Sequence, residues 1–493
     1  GQELAFLMED QLSVPVNPGQ VGRDGGLPQE LVVYYCDMFV FQQDITDPAT
    51  RLPRGEIPDY VRSELLPAML GVIRTQTQDW GVSWQPAWRS HRAEDGAARL
   101  SVALSDGDRW YHGRAPMRGH SGISLRTRAG VYRHYQTLTE GLLSTFHHEL
   151  FHNYQRSMVL ALAGHADANG QDDAWRSFTE GTAVLAESIA LPGIHFEPAS
   201  AARSYLSYAN RFLGRTGFHG ELNSSYAKMS PYYTAIYWRF LYEKCGGMEN
   251  GVEYPIAGLR IVRTSLEALY SGAQVDIAQS DDLVRGLPTV MDQALQSPEG
   301  SLCPFQTYRE GLQHFARAIY QLHLDGGRCT APGTPTGCGL YDPNHLYVDP
   351  PVSSVTYRGE QMVFAAPDQG YPSGIKSSFG IDFVDIELNP SAQGHPLTIE
   401  FYGAPEGSAV FGVEIWRLVD PETRGGSSMR PVAVGPPEPL AGTTAEGHLL
   451  YAIPAIDTSR VNRLGLIITR LDSEEDSDPI GAYTIVLQPN PKL

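Results

Sequence analysis

The order of hydrophobic and polar positions predicts an N-terminal region that combines short strands with a helix. Residues 31–43 form a β-branched and aromatic run, LVVYYCDMFVFQQ, which is typical of a buried strand. Residues 59–80 carry apolar side chains at helical spacing, which predicts a helix. Residues 98–105 and 121–127 alternate between apolar and polar positions, which predicts two more strands. Residues 1–30 are rich in Gly, Pro and Gln, and we expect an irregular arm there.

From about residue 137 to residue 325 the pattern is mainly helical. Residues 141–164 give the strongest helical pattern, and Thr137 and Glu140 are spaced for a capping box at its start. A second helix is predicted over residues 175–190. Further helices are predicted over 200–213, 231–244, 257–271 and 305–323.

The C-terminal part changes to short alternating segments separated by turn residues. About seven such segments follow residue 355, which predicts an all-β domain, a β-sandwich or a jelly roll. The preceding residues 326–354 are rich in Gly, Pro, Cys and Asp, which predicts a linker. The pattern therefore predicts an arm (1–30), a main domain (31–325), a linker (326–354) and a β-sandwich domain (355–493).

Composition and charge exclude several classes of protein. The chain has 493 residues, of which 42% are hydrophobic, so a large core can form and pervasive disorder is excluded. Lys and Arg number 37 against 56 Asp and Glu, a formal net charge of -19. This balance argues against nucleic acid and against an anionic membrane surface as partners. No apolar run approaches the ~18 residues of a membrane span, so we expect a soluble chain without membrane insertion.

The five cysteines are too few for a disulfide scaffold. Cys329 and Cys338 flank a turn-rich segment and form one candidate pair, for which Cys303 lies close enough to compete. Cys36 and Cys245 lie in apolar runs, where a buried free thiol is the alternative. We expect an oxidising compartment. Because the chain begins GQELAFL, without a basic leader, we expect the mature form of a secreted, extracellular protein.

The strongest chemical signal is the motif HExxH, His148-Glu149-Leu150-Phe151-His152, inside the predicted helix 141–164. Residues i and i+4 lie on the same face of a helix, so both imidazoles can bind one Zn²⁺. Glu149 lies beside them, within reach of a metal-bound water. The alternative is a pair of hydrogen-bonded histidines on a partly buried helix. A catalytic zinc usually has three protein ligands, so the motif alone leaves the site incomplete.

The second helix carries Trp175, Glu180, Gly181 and Ala183 in the pattern W-x-x-x-x-E-G-x-A. An HExxH helix followed by this segment resembles the gluzincin superfamily of zinc metallopeptidases, which includes thermolysin and the aminopeptidases. The resemblance covers roughly residues 100–245. It implies an α+β fold with a thermolysin-like core, in which a small N-terminal β/α part precedes a helical part. It also implies that residues 31–325 are the catalytic domain and that Glu180 is the third metal ligand.

The resemblance implies roles for other side chains near the motifs. Tyr232 matches best the tyrosine that stabilises the oxyanion in several gluzincins, and Tyr233 is the alternative. The two tyrosines could instead belong to a packed aromatic cluster with no catalytic role. Glu187 follows Glu180 by nearly two helical turns, and it either supports a ligating histidine or is a surface acid. His147 points about 100° away from its neighbour, as a pocket wall or a packed residue.

The expected function is that of a zinc-dependent peptidase that hydrolyses peptide bonds with a zinc-activated water and Glu149 as general base. In the superfamily an edge strand, here residues 121–127, pairs with the substrate backbone. The aminopeptidases carry a G-x-M-E-N motif there, whereas this chain has Gly119-His120-Ser121-Gly122, which favours an endopeptidase. The expected partner is a peptide or protein substrate, and the sequence leaves the oligomeric state open.

Three alternatives remain open at the level of sequence. The chain is either a non-catalytic zinc-containing binding or structural protein, an exopeptidase, or a glycoprotein-directed peptidase. The last follows from the continuation Asn153-Tyr154-Gln155, which is similar to that of enhancin-like mucin peptidases. Calcium is a second candidate cofactor, at the acidic turn 472–479, for which the alternative is a solvated turn.

Overall fold

A computed structural model gives the fold of the protein. It describes residues 10–15, 30–35, 41, 51–82, 99–105, 113–114, 122–127, 137–163, 173–190, 204–214, 230–249, 251–270, 283–328, 339–342, 344–365, 380–403, 410–420, 430–440, 442–443, 449–453, 455–471 and 483–489. Over these residues α-helices and several β-sheets build a mixed fold, which is compatible with the predicted α+β class.

The first sheet has five strands in the order β1-β2-β3-β5-β4. The strands are β1 (Asp10–Pro15), β2 (Glu30–Tyr35), β3 (Arg99–Ser105), β4 (Gly113–Arg114) and β5 (Ile123–Arg126). The three central strands are parallel, and β1 and β4 pair antiparallel at the two ends. Strands predicted near residues 31, 98 and 121 are therefore confirmed.

Two expectations about this sheet are wrong. β1 lies inside the segment 1–30 that was expected to be irregular, because its six residues are held by pairing with β2. Composition cannot reveal such a pairing, which depends on a partner strand elsewhere in the chain. Residues 121–127 are not an edge strand either, because β5 pairs with β3 on one side and β4 on the other. Among the described strands, β4 forms this edge.

Helices lie between β2 and β3 and after β5, and they confirm most of the predicted helical segments. Their bounds are Ile57–Tyr60, Leu66–Arg74, Leu138–Ala163, Asp173–Ala190, Ser204–Leu213, Ser230–Tyr233, Ala235–Tyr242, Pro255–Tyr270, Leu283–Leu295 and Tyr308–Gln321. π-helical turns at Val61–Leu65 and Thr75–Asp79 extend the first pair. The sequence pattern missed Leu283–Leu295, because Gly286 and Pro288 interrupt it.

The helix Leu138–Ala163, here called the histidine helix, lies against β5 and β4. One of the two hydrogen bonds of the predicted capping box is present at its start, since the Glu140 amide donates to the Thr137 hydroxyl over 3.2 Å. Leu142, Phe146 and Leu150 follow one another at four-residue spacing and are fully buried. Burial of each such side chain stabilises the fold by roughly 1.5–3 kcal/mol. The core stripe therefore fixes the rotation of this helix, and with it the direction of its other faces.

Cys245 and Cys303 form a disulfide, which corrects two expectations about the cysteines. Cys245 is not a free thiol, and Cys303 pairs with it instead of competing for the pair in the turn-rich segment. The turn after helix Ala235–Tyr242 brings Cys245 beside the 3₁₀ turn that ends before Cys303, 58 residues later in the chain. Cys36, Cys329 and Cys338 lie outside the described residues.

The C-terminal part contains two larger sheets, and each strand predicted after residue 355 is confirmed. One sheet has the order β13-β12-β17-β10-β8, with β14 also paired to β12, and the other has the order β15-β16-β11-β18-β9. The strands are β8 (Ser353–Tyr357), β9 (Met362–Ala365), β10 (Ile381–Leu388), β11 (Leu397–Tyr402), β12 (Phe411–Val419), β13 (Val432–Ala433), β14 (Glu438–Pro439), β15 (Gly442–Thr443), β16 (Leu449–Ile453), β17 (Arg463–Arg470) and β18 (Thr484–Pro489). A two-stranded hairpin, β6 (Met248–Glu249) and β7 (Val252–Glu253), lies among the helices.

Both faces of the sheet that contains β10 are buried. Val384 and Ile386 join a hydrophobic cluster with side chains of the other sheet, whereas Phe383 joins the cluster of the helices. Alternate residues of a strand point to opposite faces, so one strand serves both cores. Gly465 of β17 permits this contact, because a Cβ there would lie 1.8 Å from the Tyr320 hydroxyl oxygen of helix Tyr308–Gln321.

Part of the segment predicted as a linker packs against the helices. Leu340 and Tyr347 are buried, and the Tyr347 hydroxyl lies 2.6 Å from that of Tyr205. Arg328 forms a buried ion pair with Asp342. The acidic turn 472–479 lies outside the described residues. Among the described helices, none is both long and apolar enough to cross a lipid bilayer.

Asp385 of β10 ties this sheet to the helices. Its carboxylate accepts hydrogen bonds from Tyr320 (2.5 Å) and Arg463 (2.9 Å), and His323 lies 3.3 Å away. Burial acts to raise the pKa of Asp385. Its hydrogen bonds, of which the one with His323 has the largest effect, outweigh burial and lower the pKa below its usual value. A lowered carboxyl pKa contributes stability above the unfolded pKa of about 3.9, and this is lost as the pH falls through the folded pKa.

Asp385→Asn should therefore lower the free energy of unfolding by about 1.5–3 kcal/mol at neutral pH. The difference from the wild type should shrink as the pH falls below about 4, since the wild-type carboxylate is then protonated too. Denaturant unfolding from about pH 7 to about pH 3 measures it. Asp382→Asn is the matched control on the same strand. Burial raises the pKa of Asp382, so the effect of this carboxyl group on stability should change with pH in the opposite direction. Parallel pH profiles of the two variants would contradict the assignment.

Candidate metal centre

Three side chains that the sequence singled out converge in the structure. His148 Nε2 lies 3.0 Å from His152 Nε2 and 3.1 Å from Glu180 Oε2, and His152 Nε2 lies 3.3 Å from the same carboxylate oxygen. In a tetrahedral site with metal–ligand bonds of about 2.0–2.1 Å, neighbouring ligand atoms are about 3.3–3.4 Å apart. Two of the three distances are therefore slightly shorter than such a site requires and the third matches it, so the group could bind a metal ion.

The two helices that carry these ligands pack directly against each other. The histidine helix presents its two imidazoles one turn apart. Glu180 stands on the helix Asp173–Ala190, here called the glutamate helix. Its neighbour Gly181 faces helix Ala235–Tyr242 so closely that a Cβ would lie 2.2 Å from Thr234 Oγ1 and 2.8 Å from Trp238 Cδ1. The glycine after the ligand is therefore a packing requirement of this site.

Hydrogen bonds and opposite charges connect the imidazoles of the triad with the neighbouring carboxylates. Burial acts to lower the pKa of His148, but hydrogen bonds to Glu180 and Glu187 outweigh it and place the pKa well above its usual value. Burial acts to raise the pKa of Glu180, but the charge of His152 and the hydrogen bond from His148 place it well below its usual range. A metal ion binds the neutral form of an imidazole, so metal affinity should fall as the pH falls.

Glu187 supports the first imidazole, which decides between the two interpretations left open by the sequence. Its Oε1 lies 2.8 Å from His148 Nδ1, and its Oε2 accepts a hydrogen bond from the Ser144 hydroxyl over 2.6 Å. Glu187 is buried and is therefore not a surface acid. A carboxylate on Nδ1 orients the ring and leaves Nε2 for a metal.

Gln155 supports the second imidazole. Its Oε1 lies 2.7 Å from His152 Nδ1. Both ligand histidines therefore have a partner on Nδ1, and in both it is Nε2 that points to the triad.

Glu149 lies buried between the two ligand histidines along the helix. Its backbone carbonyl accepts a hydrogen bond from Asn153 Nδ2 over 3.1 Å, which continues the helix locally. Burial acts to lower the pKa of His152, but the charge of Glu180 and the hydrogen bond to it outweigh burial and raise the pKa above its usual value, with a smaller contribution from the charge of Glu149. The Glu149 carboxylate is thus close enough to the triad to act on it electrostatically, without being one of the three grouped ligands.

Tyr232 lies beside the triad. The Tyr232 ring stacks on the His148 ring with centroids 6.2 Å apart, and on the Tyr208 ring at 5.1 Å. Tyr233 is buried and contacts Tyr208 only obliquely. Tyr232 therefore contacts a ligand ring, and the choice among Tyr232, Tyr233 and a packed aromatic cluster stays a prediction.

His147 is packed, as one of the two interpretations predicted. It is buried beside Trp80, and Gln76 Nε2 donates to its backbone carbonyl over 3.0 Å.

Sequence reasoning missed three side chains around the triad, those of Ser144, Gln155 and Tyr208. Only the first two could have been found from the sequence. Ser144 precedes His148 by four residues and Gln155 follows His152 by three, so helical spacing could have indicated both. Tyr208 has no such signal, because it comes from a separate helix, Ser204–Leu213. No family model matches the chain, and a search of curated proteins finds no match either.

Proposed function

We propose that this chain is a zinc-dependent peptidase, most specifically an endopeptidase, of the gluzincin type. The observation that carries the proposal is the convergence of His148 Nε2, His152 Nε2 and Glu180 Oε2 from two helices, with Glu149 inside the same HExxH motif. We further propose that the N-terminal sheet and helices form a thermolysin-like core. The two C-terminal sheets, which share a hydrophobic cluster, would then form a β-sandwich accessory domain.

The donor set favours zinc among the metals. Two imidazole nitrogens and one carboxylate oxygen are the ligands of His₂Glu catalytic zinc sites, which keep a fourth position open. Hard cations such as Mg²⁺ and Ca²⁺ prefer oxygen ligands alone. The partners on both Nδ1 atoms also fit, since ligating histidines almost always donate their second ring N–H.

The chain's own residues can supply the remaining steps of peptide hydrolysis. When bound, zinc supplies Lewis acidity that acidifies water and polarises a carbonyl group. Glu149 accepts the proton of the attacking water on its carboxylate and passes it to the leaving amine. Tyr232, held by its ring stack on His148, donates its hydroxyl hydrogen to the developing oxyanion.

The proposal also covers the substrate, the location of the protein and the competing function. A peptide or protein is the substrate, and the missing amine-binding motif favours internal cleavage over removal of terminal residues. The Cys245–Cys303 disulfide supports an extracellular, oxidising location. A non-catalytic zinc-binding protein is the competing function, and the retained Glu149 weighs against it.

Metal analysis together with a peptide-library digest tests the proposal. The purified chain should hold about one equivalent of zinc. It should cleave within library peptides, lose cleavage on chelation and regain it with zinc. His152→Ala should lose metal and cleavage, whereas His395→Ala, at an exposed position in the C-terminal part, should keep both. Failure to retain zinc would reject the site, and retained zinc with no cleavage of any peptide would favour the binding protein.

A further inference from the structure

The Gln155 side chain makes three hydrogen bonds that join the two ligand-bearing helices. On one side its Oε1 lies 2.7 Å from His152 Nδ1. On the other side its Nε2 donates to the Thr179 carbonyl oxygen over 2.9 Å and to the Thr182 hydroxyl over 2.7 Å. Gln155 is only 1% exposed, so these bonds form away from bulk water. Thr179 directly precedes the ligand Glu180, so the network connects two of the three ligands.

The identity of these partners fixes which end of the amide faces the histidine. A backbone carbonyl oxygen can only accept a hydrogen bond, so the atom that faces Thr179 must be the amide nitrogen. The atom that faces His152 is then the amide oxygen, which is only an acceptor. His152 must consequently carry a proton on Nδ1, which leaves Nε2 as the ring nitrogen that can bind a metal.

The Thr182 hydroxyl fixes the same orientation of the Gln155 amide. It donates to the Phe178 carbonyl over 2.6 Å, which leaves its oxygen to accept from Gln155 Nε2. Rotation of the amide by half a turn would place its oxygen against the Thr179 carbonyl oxygen, with no hydrogen between them. Such a buried, unpaired acceptor costs about 1–3 kcal/mol.

The two ligand histidines are therefore supported by different chemistry. His148 has a carboxylate on Nδ1, that of Glu187, whereas His152 has a neutral amide. A carboxylate increases the basicity of the ligand as well as orienting it. The amide orients the ring and fixes its tautomer without adding a further negative charge to a site that already contains Glu149, Glu180 and Glu187.

We propose that Gln155 is the positioning residue of the metal centre, which selects the Nδ1–H tautomer of His152 and sets its distance from Glu180. This inference rests on the proposed metal site and does not depend on which substrate is cleaved. Removal of the amide should weaken the metal site by releasing His152, not by removing a ligand. Outer partners of this kind are typically worth about 10–100-fold in metal affinity.

The test is Gln155→Met, which keeps the length of the side chain, removes the amide that bonds to Thr179 and Thr182, and offers Nδ1–H only a weak thioether acceptor. We expect the zinc dissociation constant to rise by about 10–100-fold, and the visible spectrum of the Co²⁺-loaded chain to change because one imidazole is no longer held. Both measurements are independent of catalysis. Equal zinc affinity and an unchanged Co²⁺ spectrum would overturn the inference.

Thr182→Val is the matched control. It removes one partner of Gln155 Nε2 and loosens the helix contact, but it leaves the Thr179 carbonyl to orient the amide. Its zinc affinity should therefore fall much less than that of Gln155→Met. An equal loss in both variants would show a general packing effect and would overturn the role assigned to Gln155.

A measurement on the unaltered chain keeps the inference testable if Gln155→Met does not fold. Nitrogen-15 NMR of the zinc-loaded protein, labelled at histidine, should show His152 with a protonated Nδ1 whose proton exchanges slowly with water. A His152 that binds metal through Nδ1, or whose Nδ1 proton exchanges freely, would contradict the inference. A wild-type chain that retains no metal at all would instead reject the proposed function.

Discussion

Glu149→Gln is expected to retain about one equivalent of zinc and to lose about 10²–10⁴-fold in peptide cleavage. The substitution keeps the size and burial of the side chain but removes the carboxylate that accepts the proton of the attacking water. Glu149 is not one of the three grouped ligands, so the metal should remain bound. The measurement pairs zinc content with the rate of cleavage of the best substrate found in the library digest.

A charge-matched control separates catalysis from electrostatics. Glu64→Gln removes one negative charge from an exposed position on a neighbouring helical segment and should leave cleavage unchanged. Wild-type cleavage by zinc-loaded Glu149→Gln would show that Glu149 is not the general base and would overturn the proposed mechanism. Loss of zinc from Glu149→Gln would show instead that this carboxylate contributes to metal binding.

Gly181→Ala should damage the metal centre without touching a ligand. The added Cβ would lie 2.2 Å from Thr234 Oγ1 and 2.8 Å from Trp238 Cδ1, so one of the two helices must move. Overpacking of this kind typically costs about 1–3 kcal/mol of stability. Because Glu180 is the adjacent residue, the same movement should weaken zinc binding. Thermal or denaturant unfolding and zinc titration measure the two effects.

Two further variants test whether close packing at Gly181 is the cause of these losses. Gly71→Ala is a glycine-to-alanine change in a helix with open space around it, and it should be neutral or stabilising by up to about 1 kcal/mol. Thr234→Ala, added to Gly181→Ala, removes the nearest atom and should restore part of the lost stability and zinc affinity. A Gly181→Ala protein as stable as Gly71→Ala would contradict the close approach.

The sequence by itself determined the local elements and the residues able to bind metal. Helical spacing marked the histidine helix, and period-two alternation marked the C-terminal strands, because both signals depend only on neighbouring positions in the chain. The i and i+4 placement of His148 and His152 likewise needs only a helix. Glu180 required a resemblance between motifs, since 28 residues separate it from His152 and no local rule connects them.

Only the tertiary structure decided which side chains from different elements meet. It placed Glu187 and Gln155 on the two Nδ1 atoms, stacked Tyr232 on His148, and paired Cys245 with Cys303. It also placed β5 between two neighbours and buried both faces of β10. Such contacts depend on how helices and strands pack across long separations in the chain. Local periodicity fixes which face of an element is apolar, but not which partner will cover that face.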